Sequence, residues 1–336
     1  MEKILITGGA GFIGSNFIRY MLKKHEDYKI INLDKLTYAG NLDNLKDIEN
    51  NPNYKFVHGD ICNVNLVNDI VKDDVDIIIN FAAETHVDRS IEDPSEFMRT
   101  DFEGVYVLLE AARRYNILKF IQISTDEVYG TAYEGFFKEE DRLKPRNPYS
   151  VGKLAGERLA YSYFATHKVP VIITRASNNF GPYQYPEKFI PLFITNALEG
   201  KLLPLYRDGS QIRDWIYVTD HCKAIEILLE KGEIGEVYNI ATGNLITNIE
   251  IAKRIVNILG ISKSMIKSVT DRPGHDIRYA LDYSKIKKLG WKLSGDFEDK
   301  FKKTVKWYVD NKGWWKKIKN SKEYKKYYEK QYPEII

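Results

Sequence analysis

The feature that most constrains the fold is the run "ILITGGAGFIGSN", Ile4 to Asn16. Its β-branched residues up to Thr7 read as a buried strand, the glycines as a tight turn, and Phe12 onward as the start of a helix. Both Gly9-x-Gly11-x-x-Gly14 and Gly8-x-x-Gly11-x-x-Gly14 are satisfied. Glycines so spaced let the backbone approach a pyrophosphate at a helix N-terminus, where unpaired N–H groups and the dipole favour negative charge. Asp34 ends the next run, "YKIINLD", twenty residues after Gly14. A carboxylate there accepts hydrogen bonds from ribose hydroxyls and repels a 2′-phosphate, so a dinucleotide site favouring NAD over NADP is expected. The neighbouring Lys35 works against that preference. Asp60, ending "FVHGD", reads equally as an adenine contact or as a helix N-cap.

The alternation continues. "YKFVHGD", "DIIINFAA", "KFIQIST" and "VIITRAS" read as further strands separated by amphipathic helical segments, which means a parallel sheet covered on both faces. The expected fold is α/β: a doubly wound, Rossmann-type parallel sheet in residues 1–181, and a smaller, mostly helical substrate-binding lobe in 182–336. The two are interleaved, because "DWIYVTD" and "EVYNIAT", near 214–247, look like a return to the first.

Composition narrows the function. A balance of 50 Lys and Arg against 47 Asp and Glu leaves only +3, too little for a nucleic-acid footprint. The Lys- and Tyr-rich end, "WWKKIKNSKEYKKYYEKQY", reads as a solvated helical face whose aromatics pack on the body. Cys62 and Cys222 have neither disulfide-framework nor zinc spacing, and His86 and His221 are not paired as metal ligands, so no metal is expected and a reducing cytoplasm fits. The start carries too short an apolar run for a signal peptide, and no apolar segment approaches membrane-spanning length.

Two clusters carry chemistry. Tyr149 and Lys153 in "NPYSVGKLAGE" are spaced i, i+4 on a helix and project from one face. An ammonium and a pyridinium beside a phenol would favour its anion and make it a base; the plainer alternative is a surface Tyr with a Lys one turn on. Thr125, Asp126 and Glu127 sit together where the strand "KFIQIST" should end. Two adjacent carboxyls in a partly desolvated cleft titrate as a coupled pair, one kept protonated and the other charged, as an acid and a base working together require.

These motifs, with "DKLTYAGNLDNL", "AAETHVDRSI", "SNNFGPYQYPEKFIP", "QIRDWIYV" and "DRPGHD", resemble the extended short-chain dehydrogenase/reductases, and within them the nucleotide-sugar 4,6-dehydratases. The resemblance covers nearly the whole chain, and Thr-Asp-Glu at the strand end is its most specific part. It implies oxidation of a nucleoside-diphosphate glucose, dTDP-glucose in the first instance, at C4, loss of water across C5 and C6, and hydride return to C6. Tyr149 would take the C4 hydroxyl proton, Lys153 would lower its pKa and hold the nicotinamide ribose, and Thr125 would bond the C4 oxygen. Glu127 would remove the C5 proton, and Asp126 would protonate the departing C6 hydroxyl.

The resemblance also implies cofactor contacts from Gly8, Gly11, Phe12, Ile13 and Gly14, from Asp34, Lys35, Leu36 and Thr37, and from Asp60 and Ile61. Phe81, Ala82, Ala83, Glu84, Thr85, Thr100 and Asn179 complete that set with Tyr149 and Lys153. Substrate contacts are expected from Thr85, Thr125, Asn178, Lys188 and Phe189, from Pro204, Leu205 and Tyr206, and from Arg213 and Asn248. The run Asp271, Arg272, Pro273, Gly274 and His275 joins them, with Arg213 and Arg272 as diphosphate partners or structural ion pairs. Gly152 and Glu157 depart from the dehydratase pattern toward that of sugar epimerases and decarboxylases.

Long helices over 96–116 and 149–167, with Val105, Leu108, Leu109, Leu159 and Phe164 as surplus apolar residues, are expected to build a four-helix homodimer interface. Two other readings share the cofactor motif. A UDP-sugar 4-epimerase would use Tyr149 and Lys153 but has no use for Asp126 and Glu127; a non-catalytic NAD-binding sensor needs none of the four.

Overall fold

All six runs read as strands enter one sheet of the computed structural model, which describes residues 2–335. They are β1 (Lys3–Thr7), β2 (Lys29–Asp34), β3 (Tyr54–His58), β4 (Ile77–Asn80), β5 (Lys119–Thr125) and β6 (Val171–Ala176). Beyond them lie β7 (Asn178–Phe180), β8 (Leu203–Tyr206), β9 (Ile212–Tyr217), β10 (Val237–Ile240), β11 (Leu245–Thr247) and β12 (Ile266–Val269). The seven-stranded sheet runs β10-β6-β5-β4-β1-β2-β3, every pair parallel. Strand order reverses between β1 and β4, and a crevice opens at the carboxyl ends of the strands there.

Side chains of β1 alternate between two cores, as a period of two requires. Ile4 and Ile6 join Phe17, Ile18, Ile225 and Leu228, from the helices Phe12–Lys24 and Val218–Lys231. Leu5 joins Val67, Leu108 and Ala160, from Val64–Val71, Val105–Arg114 and Pro148–His167.

The surplus apolar residues are corrected here. Val105, Leu108 and Leu109 are fully buried against the chain's own sheet, and Leu159 and Phe164 pack on the same core. The side chains these helices turn outward are Phe102 and Tyr106, each 46% exposed, and Val151 and Tyr161, at 43% and 37%. Helical periodicity shows that an apolar face exists; it does not show which neighbour covers it. The first helical stretch also contains a π-helical segment, Arg99–Gly104.

Of the two segments expected to return, Val237–Ile240 joins the large sheet beside β6, whereas β9 pairs with β7 and β11 in a separate three-stranded sheet. Around that sheet and the pair β8–β12, a second core gathers Phe193, Trp215, Ile255, Phe301 and Trp315. The terminal helices Lys312–Lys319 and Lys322–Gln331 bury Trp315, Tyr324 and Tyr327 and turn most of their lysines outward. No helix among the described residues is long and apolar enough to cross a membrane.

Glu157 is explained by its surroundings. Its carboxylate meets the Arg175 guanidinium through two bonds of 2.6 and 3.1 Å, both side chains are buried, and Arg175 also donates to the Tyr129 hydroxyl. The pair joins the helix carrying Tyr149 and Lys153 to β6 and to the turn that follows β5.

Candidate active site

The glycine turn is built by exclusion. Gly8 has φ +68°, and a Cβ there would lie 2.6 Å from the backbone nitrogen of Ala82. A Cβ on Gly14 would lie 2.5 Å from the Gly8 carbonyl oxygen. At Gly11 a Cβ would meet one atom, the Gly8 carbonyl oxygen, at a tight 3.2 Å. Gly11 is the N-cap of Phe12–Lys24 and brings no side-chain cap, so first-turn N–H groups remain for a ligand. These donors fit a pyrophosphate.

Asp34 ties this turn to β2. Its Oδ2 accepts the Ala10 N–H at 2.8 Å and its Oδ1 the Leu36 N–H at 2.8 Å. Burial raises its pKa, and these two N–H groups act against the rise. Lys35 reaches Asp60 at 3.0 Å, so its ammonium is partly neutralised. Asp60 accepts the Cys62 N–H, but the N-cap of Val64–Val71 is Asn63; that half of the Asp60 reading is corrected.

A cleft of about 310 Å³ runs from this turn along the strand ends, and all the residues expected at the cofactor line it except Leu36. The Leu36 side chain packs toward the core, and only its backbone faces Asp34. Thr85, Thr125, Asn178 and Lys188 line the same cleft. Phe189, Pro204, Leu205, Tyr206, Arg213, Asn248 and 271–275 lie outside its lining.

Charge connects that second group to the cleft. Arg213 acts electrostatically on Asp126, and Glu127 on Arg272. Arg272 pairs with Asp88 at 3.3 Å, and its Nε is buried with no partner. Tyr206 donates to Asp88 at 3.1 Å, and His275 meets Asp271 at 2.7 Å. Arg213 gives NH1 and NH2 to the carbonyls of Ile212 and Asp276, and its guanidinium lies 4.3 Å from the Tyr279 ring centre. Arg272 therefore keeps one buried donor without a partner, while both terminal nitrogens of Arg213 are committed to the fold. Leu205 and Phe189 belong to the second core or pack against it.

The chemistry cluster is buried: Thr125, Asp126 and Glu127 are 8%, 3% and 9% exposed, and Lys153 is 5%. The Thr125 hydroxyl accepts the Glu127 N–H at 3.2 Å and caps a 3-10 turn that aims both carboxyls into the cleft. Burial, and then the neighbouring Glu127 carboxylate, push the Asp126 carboxyl well above the usual carboxylate range. Glu127 accepts a hydrogen bond of 3.0 Å from Asn147 Nδ2, and Asn147 Oδ1 caps the helix Pro148–His167 by accepting the Ser150 N–H. The same residue thus sets Glu127 against the start of the helix that carries Tyr149. The Tyr149 N–H donates to Ser90 Oγ at 3.1 Å.

In the free chain the Tyr149 phenol is pushed up, first by burial and then by the charges of Glu127 and Asp101. Lys153 also faces Asp101, with Nζ 3.7 Å from Oδ1. Burial lifts Asp101 to about 7 against the pull of Lys153, and its Oδ2 has no partner. Glu84 is also raised to about 7, by burial and then by Glu96.

Ser90, Asp101 and Asn147 were not anticipated. Asn147 was detectable as the cap of a capping box in "NPYS". Asp101 reaches Lys153 only because the π-helical segment packs on Gly156, where a Cβ would stand 2.3 Å from the Asp101 carbonyl oxygen. Gly152 is less strict, since a Cβ there would make an ordinary 3.4 Å contact. Among the described residues, no group of three His, Cys, Asp or Glu is placed to hold a metal ion.

A doubly wound parallel sheet whose glycine turn, β2 carboxylate and Tyr-x-x-x-Lys pair share one cleft defines an extended short-chain dehydrogenase/reductase. Within that class, the family model for GDP-mannose 4,6 dehydratase matches residues 5–304, and the chain belongs to this family. It is 48% identical over 326 residues to a dTDP-glucose 4,6-dehydratase of Streptomyces niveus, covering 96% of this chain and 97% of that one. It is 51% identical over 306 residues to the low-salt glycan biosynthesis protein Agl12 of Haloferax volcanii, covering 91% and 98%. The crystal structure of a Bacillus anthracis dTDP-glucose 4,6-dehydratase in complex with NAD is similar at TM-score 0.89 and 50% identity, over 95% of this chain and 100% of that one.

Proposed function

We propose that the chain binds NAD and converts a nucleoside-diphosphate glucose, dTDP-glucose, to its 4-keto-6-deoxy derivative. The observation that carries this reading is the burial of two adjacent carboxyls, Asp126 and Glu127, in the cleft that holds Tyr149 and Lys153. A 4-epimerase needs no second acid and base. The named relatives support the nucleotide and the sugar.

Gly8, Gly11 and Gly14 hold the pyrophosphate, Asp34 the adenosine ribose, and Thr85, Thr100, Lys153 and Asn179 the nicotinamide riboside. Held there, NAD would supply the hydride chemistry, out from sugar C4 and back to C6. Tyr149 takes the C4 hydroxyl proton, and cationic charge in the cleft offsets the burial that holds its phenol protonated in the free chain. Thr125 bonds the C4 oxygen. Glu127 removes the C5 proton with the oxygen that Asn147 leaves free. Asp126, kept protonated by burial and by Glu127, gives its proton to the C6 hydroxyl as it leaves as water. Arg272 takes the diphosphate, and Tyr206, which shares Asp88 with it, lies beside it.

We assign the working form to a cytoplasmic homodimer. The exposed stripe of Phe102, Tyr106, Val151 and Tyr161 supports the dimer, and unpaired Cys62 and Cys222 suit a reducing compartment.

The test is incubation with dTDP-, UDP- and CDP-glucose, with 4-keto-6-deoxy product and deuterium at C5 followed in the wild type and in Asp126→Asn and Glu127→Gln. Each variant should lose about 10²- to 10⁴-fold in product formation while still binding NAD. Near wild-type product from the double variant would contradict this assignment and favour the epimerase.

A further inference from the structure

His221 lies at the start of the helix Val218–Lys231, is 0% exposed and lines the cleft, yet nothing in the reaction above uses it. Its hydrogen bonds determine its tautomer. Asn179 Nδ2 donates to the Ser177 carbonyl at 3.0 Å, which turns Asn179 Oδ1 toward His221 Nδ1, 3.0 Å away. An amide oxygen only accepts, so the imidazole proton is on Nδ1 and Nε2 carries a bare lone pair. Burial pushes the imidazole pKa down to about 3, so a second proton does not add near neutrality.

No described residue donates to that Nε2. In the same lining, Gln184 gives its Nε2 to the Asn179 carbonyl, which leaves Gln184 Oε1 a second buried acceptor without a partner. An acceptor buried without a partner carries the full cost of its lost hydration, so these call for a donor from outside the chain. Phosphate oxygens are themselves acceptors at neutral pH and do not serve. The amide and hydroxyl groups of a nicotinamide riboside do.

We propose that His221 is a cofactor-binding residue whose Nε2 accepts a hydrogen bond from a neutral donor on the nicotinamide-riboside half of NAD. The proposal rests on the NAD reading above. It makes Asn179 the positioning residue that presents His221 in the useful tautomer.

Two substitutions separate the ring nitrogens. In His221→Asn the side-chain amide stands near Nδ1 and can still donate to Asn179, but the distant acceptor is gone. In His221→Gln an amide oxygen reaches toward the Nε2 position, and the Asn179 contact is lost. Exchange of bound NAD against labelled NAD should be about tenfold faster in His221→Asn, and within about threefold of wild type in His221→Gln. ADP-ribose affinity tells the donors apart: unchanged in His221→Asn, it assigns the carboxamide; weakened as much as NAD, it assigns a ribose hydroxyl.

Wild-type retention of NAD by His221→Asn, or equal loss in the two variants, overturns the proposal. A check that needs no variant is the Nε2 resonance of ¹⁵N-histidine-labelled wild type, which should move between the NAD-stripped and NAD-loaded protein; an unmoved resonance also overturns it. Failure of the wild type to bind NAD is a separate outcome that removes the cofactor reading itself.

Discussion

The two proposed binding regions are made differently. The dinucleotide region comes largely from one contiguous unit, β1, the glycine turn, the helix Phe12–Lys24 and β2, closed by two backbone bonds to Asp34. The region proposed for the sugar nucleotide reaches beyond the cleft's lining and is gathered from segments far apart in the chain, so that Asp88, Tyr206 and Arg272 meet in one set of contacts. A local motif can be read because its geometry follows from neighbours in sequence. An assembled one exists only after the second core has formed.

The largest expected effect comes from the buried pair that fixes the helix of Tyr149 and Lys153, shared by both regions, to β6. Arg175→Met leaves the Glu157 carboxylate buried without its partner and should cost about 3–5 kcal/mol of stability, measured by denaturant unfolding. Replacing both partners with apolar residues should recover much of that loss.

Gly14→Ala should act on the dinucleotide region alone. Its Cβ would press on the Gly8 carbonyl, so the turn must shift, and NAD affinity by calorimetry should fall about a hundredfold, or about 2.7 kcal/mol. Dinucleotide affinity equal to wild type would show that the turn yields without cost.

Arg272→Ala should act on the other region alone. Loss of a charge-assisted bond predicts a rise of about twentyfold in substrate KM, with NAD binding unchanged. An unchanged KM would return Arg272 to the role of a structural partner for Asp88.

The smallest effect is a pH slope from Asp101. Its pKa is raised in the folded chain, to about 7, so the folded state holds its proton where the unfolded chain has released it. The resulting stability is complete below the unfolded pKa and is lost as pH rises through 7. Between pH 6 and 8 the loss should be about 1.4 kcal/mol, and Asp101→Asn should remove it from paired unfolding curves. The same slope in both proteins would assign it elsewhere.

Particular residues show where sequence reading stops. "STDEVYG" was placed correctly at a strand end, because strand periodicity and a run of polar residues are both local signals. Leu108 and Leu109 were correctly taken as apolar but given to the wrong neighbour. The spacing of Lys153 shows its place one turn after Tyr149, but not its approach to Asp101, a contact made by a π-helical segment that no spacing rule foretells. The cap reading of Asp60 fails, since only coordinates distinguish it from Asn63 as the cap.

The sequence alone therefore determined the strands, the glycine turn, the identity of the two carboxyls and the spacing of Tyr149 and Lys153, since each depends on residues within a few positions of one another. Tertiary structure decided the ionisation of Tyr149, Asp101 and Asp126, the tautomer of His221, and which arginine keeps a free donor. The physical reason is that desolvation and charge are set by whatever lies within a few ångströms. In a chain whose Asp88 meets Arg272, that neighbourhood is fixed by packing rather than by order along the sequence.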